Sequence, residues 1–256
     1  MTQVETTVPK LSSEGVSLKS VSLWQITWRR LFKRKSAVVG MIILGILIIA
    51  AIAAPLIAPY EPTQVLLGKE KVKARQDPCI HLFGCPKTEP QHILGIDGNV
   101  RDEFSRLLYG ARLSLMIGFT TVSFAIVIGT FLGALAGYFG GWGDNIIMRV
   151  MDVLLAFPSL LLAIAIVTVL GPGLQNALLA IGIVSIPAYA RVVRASVLSV
   201  RETDFVSATR ALGGSTSQIL YGRILPNALT PLIVVGTLGI ATAILDAAAL
   251  SFLGLG

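Results

Sequence analysis

Residues 205–231 read FVSATRALGGSTSQILYGRILPNALTP, and the fold turns on this stretch because it is too polar to cross a bilayer and too patterned to be a slack linker. Phe205, Ala208, Ala211 and Leu212 recur at helical spacing, which predicts a short helix capped by Thr203 or Asp204. Gly213-Gly214 supplies the left-handed conformation that ends it. Ser215, followed three residues on by Gln218, resembles a capping box and opens a second helix. Pro226 marks where that helix ends or bends. Residues 203–226 are therefore expected to form a helix-turn-helix elbow whose first helix offers a small, mostly apolar face suited to a partner's groove.

On both sides of the elbow the sequence turns apolar. Residues 174–198 precede it, and the run from Ala228 to the final Gly256 follows it. Further out lie residues 146–170, 113–138 and 37–58, the last reading AVVGMIILGILIIAAIAAPLIA. A helix needs about 20 such residues to cross hydrocarbon, and 37–58 would be roughly 33 Å long. Composition agrees: 54% of the 256 residues are hydrophobic, 14% are charged, and the mean hydropathy is +0.78. No soluble core absorbs that much apolar surface. The expectation is an all-α, polytopic membrane helical bundle with five spans: a polar tail at 1–36, an uncleaved anchor at 37–58, a long loop at 59–112 and a transmembrane domain at 113–256.

The charges orient the bundle. Arg29, Arg30, Lys33, Arg34 and Lys35 place the N-terminus in the cytoplasm, and the elbow region, with Arg191, Arg194, Arg201, Arg210 and Arg223, then falls on the same side. The 59–112 loop lies outside although it carries eight bases with seven acids, and Arg106 and Arg112 sit close to the next span. The net charge of +7 reads as basic cytoplasmic loops rather than a nucleic-acid surface, since no basic patch is interleaved with aromatics.

Cys79 and Cys85, in DPCIHLFGCP, are the only cysteines, and both fall in the outer loop. An oxidising compartment favours a disulfide between them. Free thiols, or zinc ligation together with His81, are the alternatives; a fourth zinc ligand is not evident.

Charged and helix-breaking residues inside the spans are candidates for packing or for lining a route. Arg149 and Asp152 stand three apart on one helix face, and Pro158 should kink the same span. Pro187 has the same implication in the next span, while Gly129, Gly133 and Gly137 offer a face for close helix approach. Asp246 is the only acid of the last span and is by default a pathway or packing residue.

The elbow resembles the cytoplasmic loop of bacterial binding-protein-dependent ABC importer permeases, which has a Glu-Ala-Ala triplet, a glycine four residues later and an Ile-Leu-Pro ending. Here Ser207, Ala208 and Thr209 occupy the triplet, Gly213 the glycine, and Ile224-Leu225-Pro226 the ending. The first and third triplet residues depart, so no ion pair from that glutamate carries over. The match is closer still to the C-type permease of the dipeptide, oligopeptide and nickel importers. ATRALGGS, RILPNALTPLIV, HILGIDGNVRDEFSRLLYGARLSL, MRVMDVLLAFPSLLLAI and LSFLGLG all resemble that family, which covers nearly everything from Leu23 onward. Family members usually place a glutamate where Ala247 stands, one residue after Asp246 and about 100° round the helix. They also continue past LGLG to a sixth helix, so a sixth span is expected to be missing here.

The resemblance implies a type I ABC importer transmembrane domain in a bacterial plasma (inner) membrane. It implies a heterodimer with a homologous permease, a solute-binding protein outside and two cytoplasmic ATPase subunits that use ATP and Mg. Phe205, Ser207, Ala208, Thr209, Arg210, Ala211, Leu212, Gly213, Leu225 and Pro226 would couple to those ATPases. Peptides are the implied cargo, with nickel or glutathione-like solutes as further options. The chain itself is expected to bind no cofactor and to be no enzyme: it has no GxxxxGK[ST] loop, and GYFGGWGD lacks the phosphate-cradling lysine. An ion-gradient-driven secondary transporter or channel is the rival, and it would need paired intramembrane acids or inverted repeats, neither of which is visible. An intramembrane enzyme would need a grouping such as HExxH or GxSxG, also absent.

Overall fold

The computed structural model describes residue 28, residues 31–86 and residues 88–256. The 1–27 tail, Arg29, Arg30 and Lys87, all used above for orientation or charge, lie outside the described residues. Among those described, regular structure is helical, with only isolated β-bridges within residues 67–102. Helix α1, Lys35–Ile57, runs through the boundary between a unit ending at Leu47 and a second, compact unit, Ile48–Gly256. Ile42, Ile46, Ile49 and Ile52 on α1 are all exposed, as a helix solvated by lipid tails requires.

Residues 58–102 fold into a small lobe on a core of Leu66, Val72, Ile96 and Val100, with Tyr60 packed against it. A disulfide joins Cys79 to Cys85. Cys79 and His92 exchange both backbone hydrogen bonds, at 2.9 and 3.0 Å, which ties the stapled turn to the segment leading into the next helix.

Helix α2, Glu103–Phe139, starts ten residues before the expected Leu113. Asp102 is its N-cap, accepting from the Ser105 backbone N–H at 2.8 Å and from the Ser105 hydroxyl at 2.7 Å. The charged residues 103–112 are thus three helical turns standing outside the apolar length, not loop. At its other end, Arg201 donates to the Gly137 and Tyr138 carbonyls at 3.2 and 3.1 Å, satisfying acceptors the helix terminus leaves open.

The expected third span is broken. Helices α3, Gly141–Leu155, and α4, Ser159–Leu170, are bent by 92° at a gap that ends in Pro158. Pro158 takes ψ 126°, lacks an N–H and cannot continue the ladder, so it begins a new helix instead of kinking an old one. At about 18 Å, α4 is too short to cross alone. Pro187 behaves differently: α5, Leu174–Arg201, stays a single helix through it, with the proline buried among its neighbours.

The elbow follows as α6, Asp204–Ala211, and α7, Thr216–Ile219. Ser215 caps α7 by accepting from the Gln218 N–H at 3.4 Å, but Thr203 does not cap α6, because its hydroxyl turns back to donate to the Val200 carbonyl at 2.6 Å. Pro226 does not end the second helix either. A five-residue π segment, Leu220–Ile224, absorbs the hydrogen bond the proline cannot make, and the chain continues as α8, Leu225–Phe252.

The bundle is built on α2 and α5, with α8 against both, α4 against α5, and α3 bridging α2 and α5. Lipid supplies no hydrophobic drive between helices, so close packing must hold them. A Cβ on Gly129 would stand 2.8 Å from the Tyr189 Cβ, and one on Gly133 only 2.4 Å from the Ala190 carbonyl oxygen. The small-residue face of α2 therefore meets the backbone of α5. Among the described residues, four helices are long and apolar enough to cross a membrane, and the bent α3–α4 pair is a further candidate.

Candidate functional site

The elbow helix α6 is anchored by Val206, which is fully buried, and this leaves the opposite side open. Phe205, Ala208 and Leu212, spaced i, i+3, i+7, form an exposed apolar stripe; Phe205 is 44% and Leu212 89% exposed. Ser207, Arg210 and Ala211 are exposed beside it. Thr209 is half-buried, its hydroxyl donating to the Phe205 carbonyl at 2.8 Å and its methyl facing Gly214. Gly213 adopts φ +82°, the left-handed turn anticipated for it. Leu225 and Pro226 belong instead to α8, where Leu225 lines a separate apolar recess with Leu220 and Phe131. Val206, the anchor, carries no local sequence signal.

A second feature is a cavity of about 380 Å³ between the α4 start, α5 and α8. Asp246 and Thr242, one turn apart on α8, face Ser185 and Tyr189 of α5 across it, with Ser159 and Leu238 at its exposed rim. Asp246 has no hydrogen-bond or ion-pair partner among the described residues. Pro158 does not line the cavity itself, but it sets the position of Ser159.

Arg149 and Asp152 do not form a pair. Asp152 binds Arg191 of α5 at 2.5 Å, both half-exposed, while Arg149 is exposed and has no ion pair among the described residues. Residues three apart on a helix can pair, but here the Arg191 guanidinium of the neighbouring helix takes the Asp152 carboxylate instead. A second link escaped the sequence reading: Asp144, nearly buried in the first turn of α3, takes a two-pronged contact from Arg194 at 2.5 and 2.6 Å. The ends of α3 are thereby clamped to α5.

The lobe at 58–102 holds a buried polar network, also unforeseen. The His92 Nδ1–H donates to Asp102 Oδ1 at 2.8 Å, and its Nε2 faces Glu70 at 3.4 Å. The Tyr60 ring stacks on His92 at 5.4 Å, and its hydroxyl donates to Glu70 at 3.0 Å. Burial, reinforced by Glu70, pushes the Tyr60 phenol up to about 12. Asp97 binds both Arg101 and Arg106. Burial works to raise its carboxyl, but hydrogen bonds from the Arg101 backbone and side chain and from the Asn99 backbone outweigh it and hold the group low. Arg106, close to a span, thus shares the Asp97 carboxylate with Arg101. Both cysteine sulfurs are engaged in the disulfide, so neither is free as a thiolate, and the His81 ring pairs with the Glu89 carbonyl at 2.8 Å.

The described bundle thus combines a broken span with an exposed elbow that precedes α8. Residues 129–256 match the family described as binding-protein-dependent transport system inner membrane component, and residues 22–78 match the N-terminal TM domain of oligopeptide transport permease C. The chain is 48% identical to the dipeptide transport system permease protein of Alkalihalophilus pseudofirmus, over 93% of this chain and 73% of that one. It is 39% identical to the glutathione transport system permease protein of Pectobacterium atrosepticum, over 91% and 73%. Among solved structures, the MetNI methionine ABC transporter, in inward-facing conformations, aligns with a TM-score of 0.50 at 24% identity, over 56% of this chain and 72% of that chain. That likeness shows the fold.

The chain belongs to the family of binding-protein-dependent transport system inner membrane components. It is a permease subunit of an ABC importer and a multi-pass protein of the inner membrane. The secondary-transporter reading is thereby set aside.

Proposed function

We propose that this permease forms half of a route for peptides, pairing with a homologous permease and coupling through α6 to cytoplasmic ATPase subunits. ATP and Mg are used by those subunits, and this chain performs no catalysis. A binding protein delivers the solute to the outer face, where the 59–112 loop and its stapled lobe lie, and the N-terminus is cytoplasmic. The relatives named for dipeptides support peptides as the cargo class, with a glutathione-like peptide within it.

The observation that carries the reading is the exposed stripe of Phe205, Ala208 and Leu212 on a helix pinned by Val206. An apolar strip on a short, anchored helix is the shape that fits a groove in a soluble partner. α6 carries two charges, Asp204 in its first turn and Arg210 in its last, and both are exposed. The cavity beside Asp246 would line the route, with the Asp152–Arg191 pair one turn beyond it.

The test is co-purification with the ATPase subunits together with ATP-driven uptake in proteoliposomes. Ala208→Trp and Leu212→Asp should each abolish ATPase capture and uptake while the chain still inserts and pairs with its partner permease. ATPase capture and uptake at the unaltered level in both variants would rule out α6 as the coupling surface.

A further inference from the structure

The groups lining the Asp246 cavity have a chemical bias. The Thr242 hydroxyl donates to the Gly239 carbonyl at 2.9 Å, and the Ser185 hydroxyl donates to the Ile181 carbonyl at 2.7 Å. Each has committed its proton to its own helix, so the oxygen turned to the cavity can only accept. Asp246, when ionised, also only accepts. No cation lines the cavity, and the nearest along α5, Arg191, is held by Asp152. The remaining hydroxyl on the α5 wall, Tyr189, is almost wholly buried, its ring packed over Gly239, where a Cβ would stand 1.9 Å from the phenol oxygen.

An unpaired carboxylate within a span costs several kcal/mol unless something meets it, and such groups mark solute or ion paths. Here the wall around it offers acceptors, and the two other hydroxyls, the Tyr189 phenol and Ser159 at the rim, can accept as well as donate. The complement of that surface is a compact donor with several N–H groups and a positive charge. The 380 Å³ volume admits a small organic solute rather than a bare ion alone.

We propose that Asp246, with Thr242 and Ser185, forms a subsite for the primary ammonium group of the transported solute. This rests on the reading of the chain as half of a peptide route, and it assigns the solute's free amino end to this subunit's wall. Three N–H donors meet three acceptors, and the charge is met by the carboxylate. Gly239 permits the arrangement, because any side chain there would displace Tyr189 and close the wall.

The test uses the complete transporter with its binding protein in proteoliposomes, with radiolabelled alanyl-alanine as the probe. Asp246→Asn keeps the size and removes the charge, and its initial uptake rate should fall about tenfold or more, the scale of one charge-assisted hydrogen bond. Asp246→Glu should recover most of the rate. Assembly yield and melting temperature of the Asp246→Asn transporter should match the unaltered one.

Three results would overturn the proposal. One is uptake by Asp246→Asn equal to the unaltered transporter. Another is failure of Asp246→Glu to recover any rate. The third is a fall in assembly yield or melting temperature with Asp246→Asn, which would make the carboxylate a link to the second permease. If the unaltered transporter itself fails to import alanyl-alanine while its ATPase responds to loaded binding protein, the peptide reading fails instead.

Discussion

Gly133→Ala and Gly110→Ala place the same methyl group on the same helix, α2, and should move stability in opposite directions. At Gly133 the new Cβ would lie 2.4 Å from the Ala190 carbonyl oxygen and 3.0 Å from the Val193 Cβ, where ordinary contact begins near 3.4 Å. Helices α2 and α5 must part by about 1 Å, since neither contact is the end of a flexible side chain. A gap of that size forfeits a quarter to a half of each dispersion well, and about 40 atom pairs at roughly 0.1–0.2 kcal/mol then lose on the order of 1–4 kcal/mol. Alanine returns about 1 kcal/mol through its better helix propensity, so the net cost is roughly 0–3 kcal/mol, centred on about 1.5. At Gly110 nothing lies within 4 Å, and only the gain of up to about 1 kcal/mol remains. Thermal melting of the purified transporter, followed by intrinsic fluorescence, should rank Gly110→Ala at or above the unaltered protein and Gly133→Ala clearly below it. Gly133→Ala melting at or above the unaltered temperature would refute the close-approach argument.

The remaining predictions concern the lobe at 58–102. Replacing Cys79 and Cys85 together by serine releases a seven-residue loop, which the chain-entropy relation values at about 2 kcal/mol; trypsin added to the purified transporter in detergent should then cut at Lys69, Lys71 or Lys73 faster, and an unchanged cleavage rate would argue that the staple stabilises nothing. Tyr60, with its phenol raised to about 12 by burial and by Glu70, stays protonated in the folded lobe while an unfolded chain ionises near 10. Its contribution to stability is therefore complete below pH 10 and is lost as pH rises to about 12. Tyr60→Phe should remove the latest phase of phenolate absorbance in an alkaline titration; persistence of that phase would assign it elsewhere.

What the sequence made legible follows from where each constraint acts. Apolar spans declare themselves because lipid demands long unbroken runs, and the elbow declares itself through local signals: the helical spacing of Phe205, Ala208 and Leu212, the turn at Gly213 and the cap at Ser215. The start of α2 was hidden because Glu103, Arg106 and Arg112 look like loop, although they ride on exposed turns of a helix that Asp102 caps from outside the apolar length. Proline was ambiguous in kind. Pro158 breaks a span, Pro187 is absorbed within one, and Pro226 is accommodated by a π segment, and nothing within one residue's sequence distinguishes these outcomes. The ion pairs were illegible because their partners are distant, 39 residues apart for Asp152 and Arg191 and 50 for Asp144 and Arg194. The network of Tyr60, Glu70, His92 and Asp102 likewise forms only when the lobe closes.

The correction at Pro226 bears on how an elbow could act on a route. A helix ending there, as its sequence suggests, would be a hinge, and a push on the elbow would dissipate before reaching the bundle. Instead, Thr216–Phe252 is one continuous helical rod, with the π segment inside it. Helices transmit rotation and translation through their backbone hydrogen bonds, and the distance from Thr216 to Asp246 is about 45 Å at 1.5 Å per residue. On the proposed reading, a shift of α6 against its ATPase partner is passed through the turn at Gly213 to α7. From there it moves the α8 wall that carries Thr242 and Asp246 against the α5 wall that carries Ser185 and Tyr189. Helix α5 is the less mobile side of that cavity, since Asp144 and Asp152 clamp it to α3 and the glycines of α2 lock its backbone. One rigid wall and one driven wall are what an acceptor-lined subsite needs in order to hold an ammonium group in one state and release it in another.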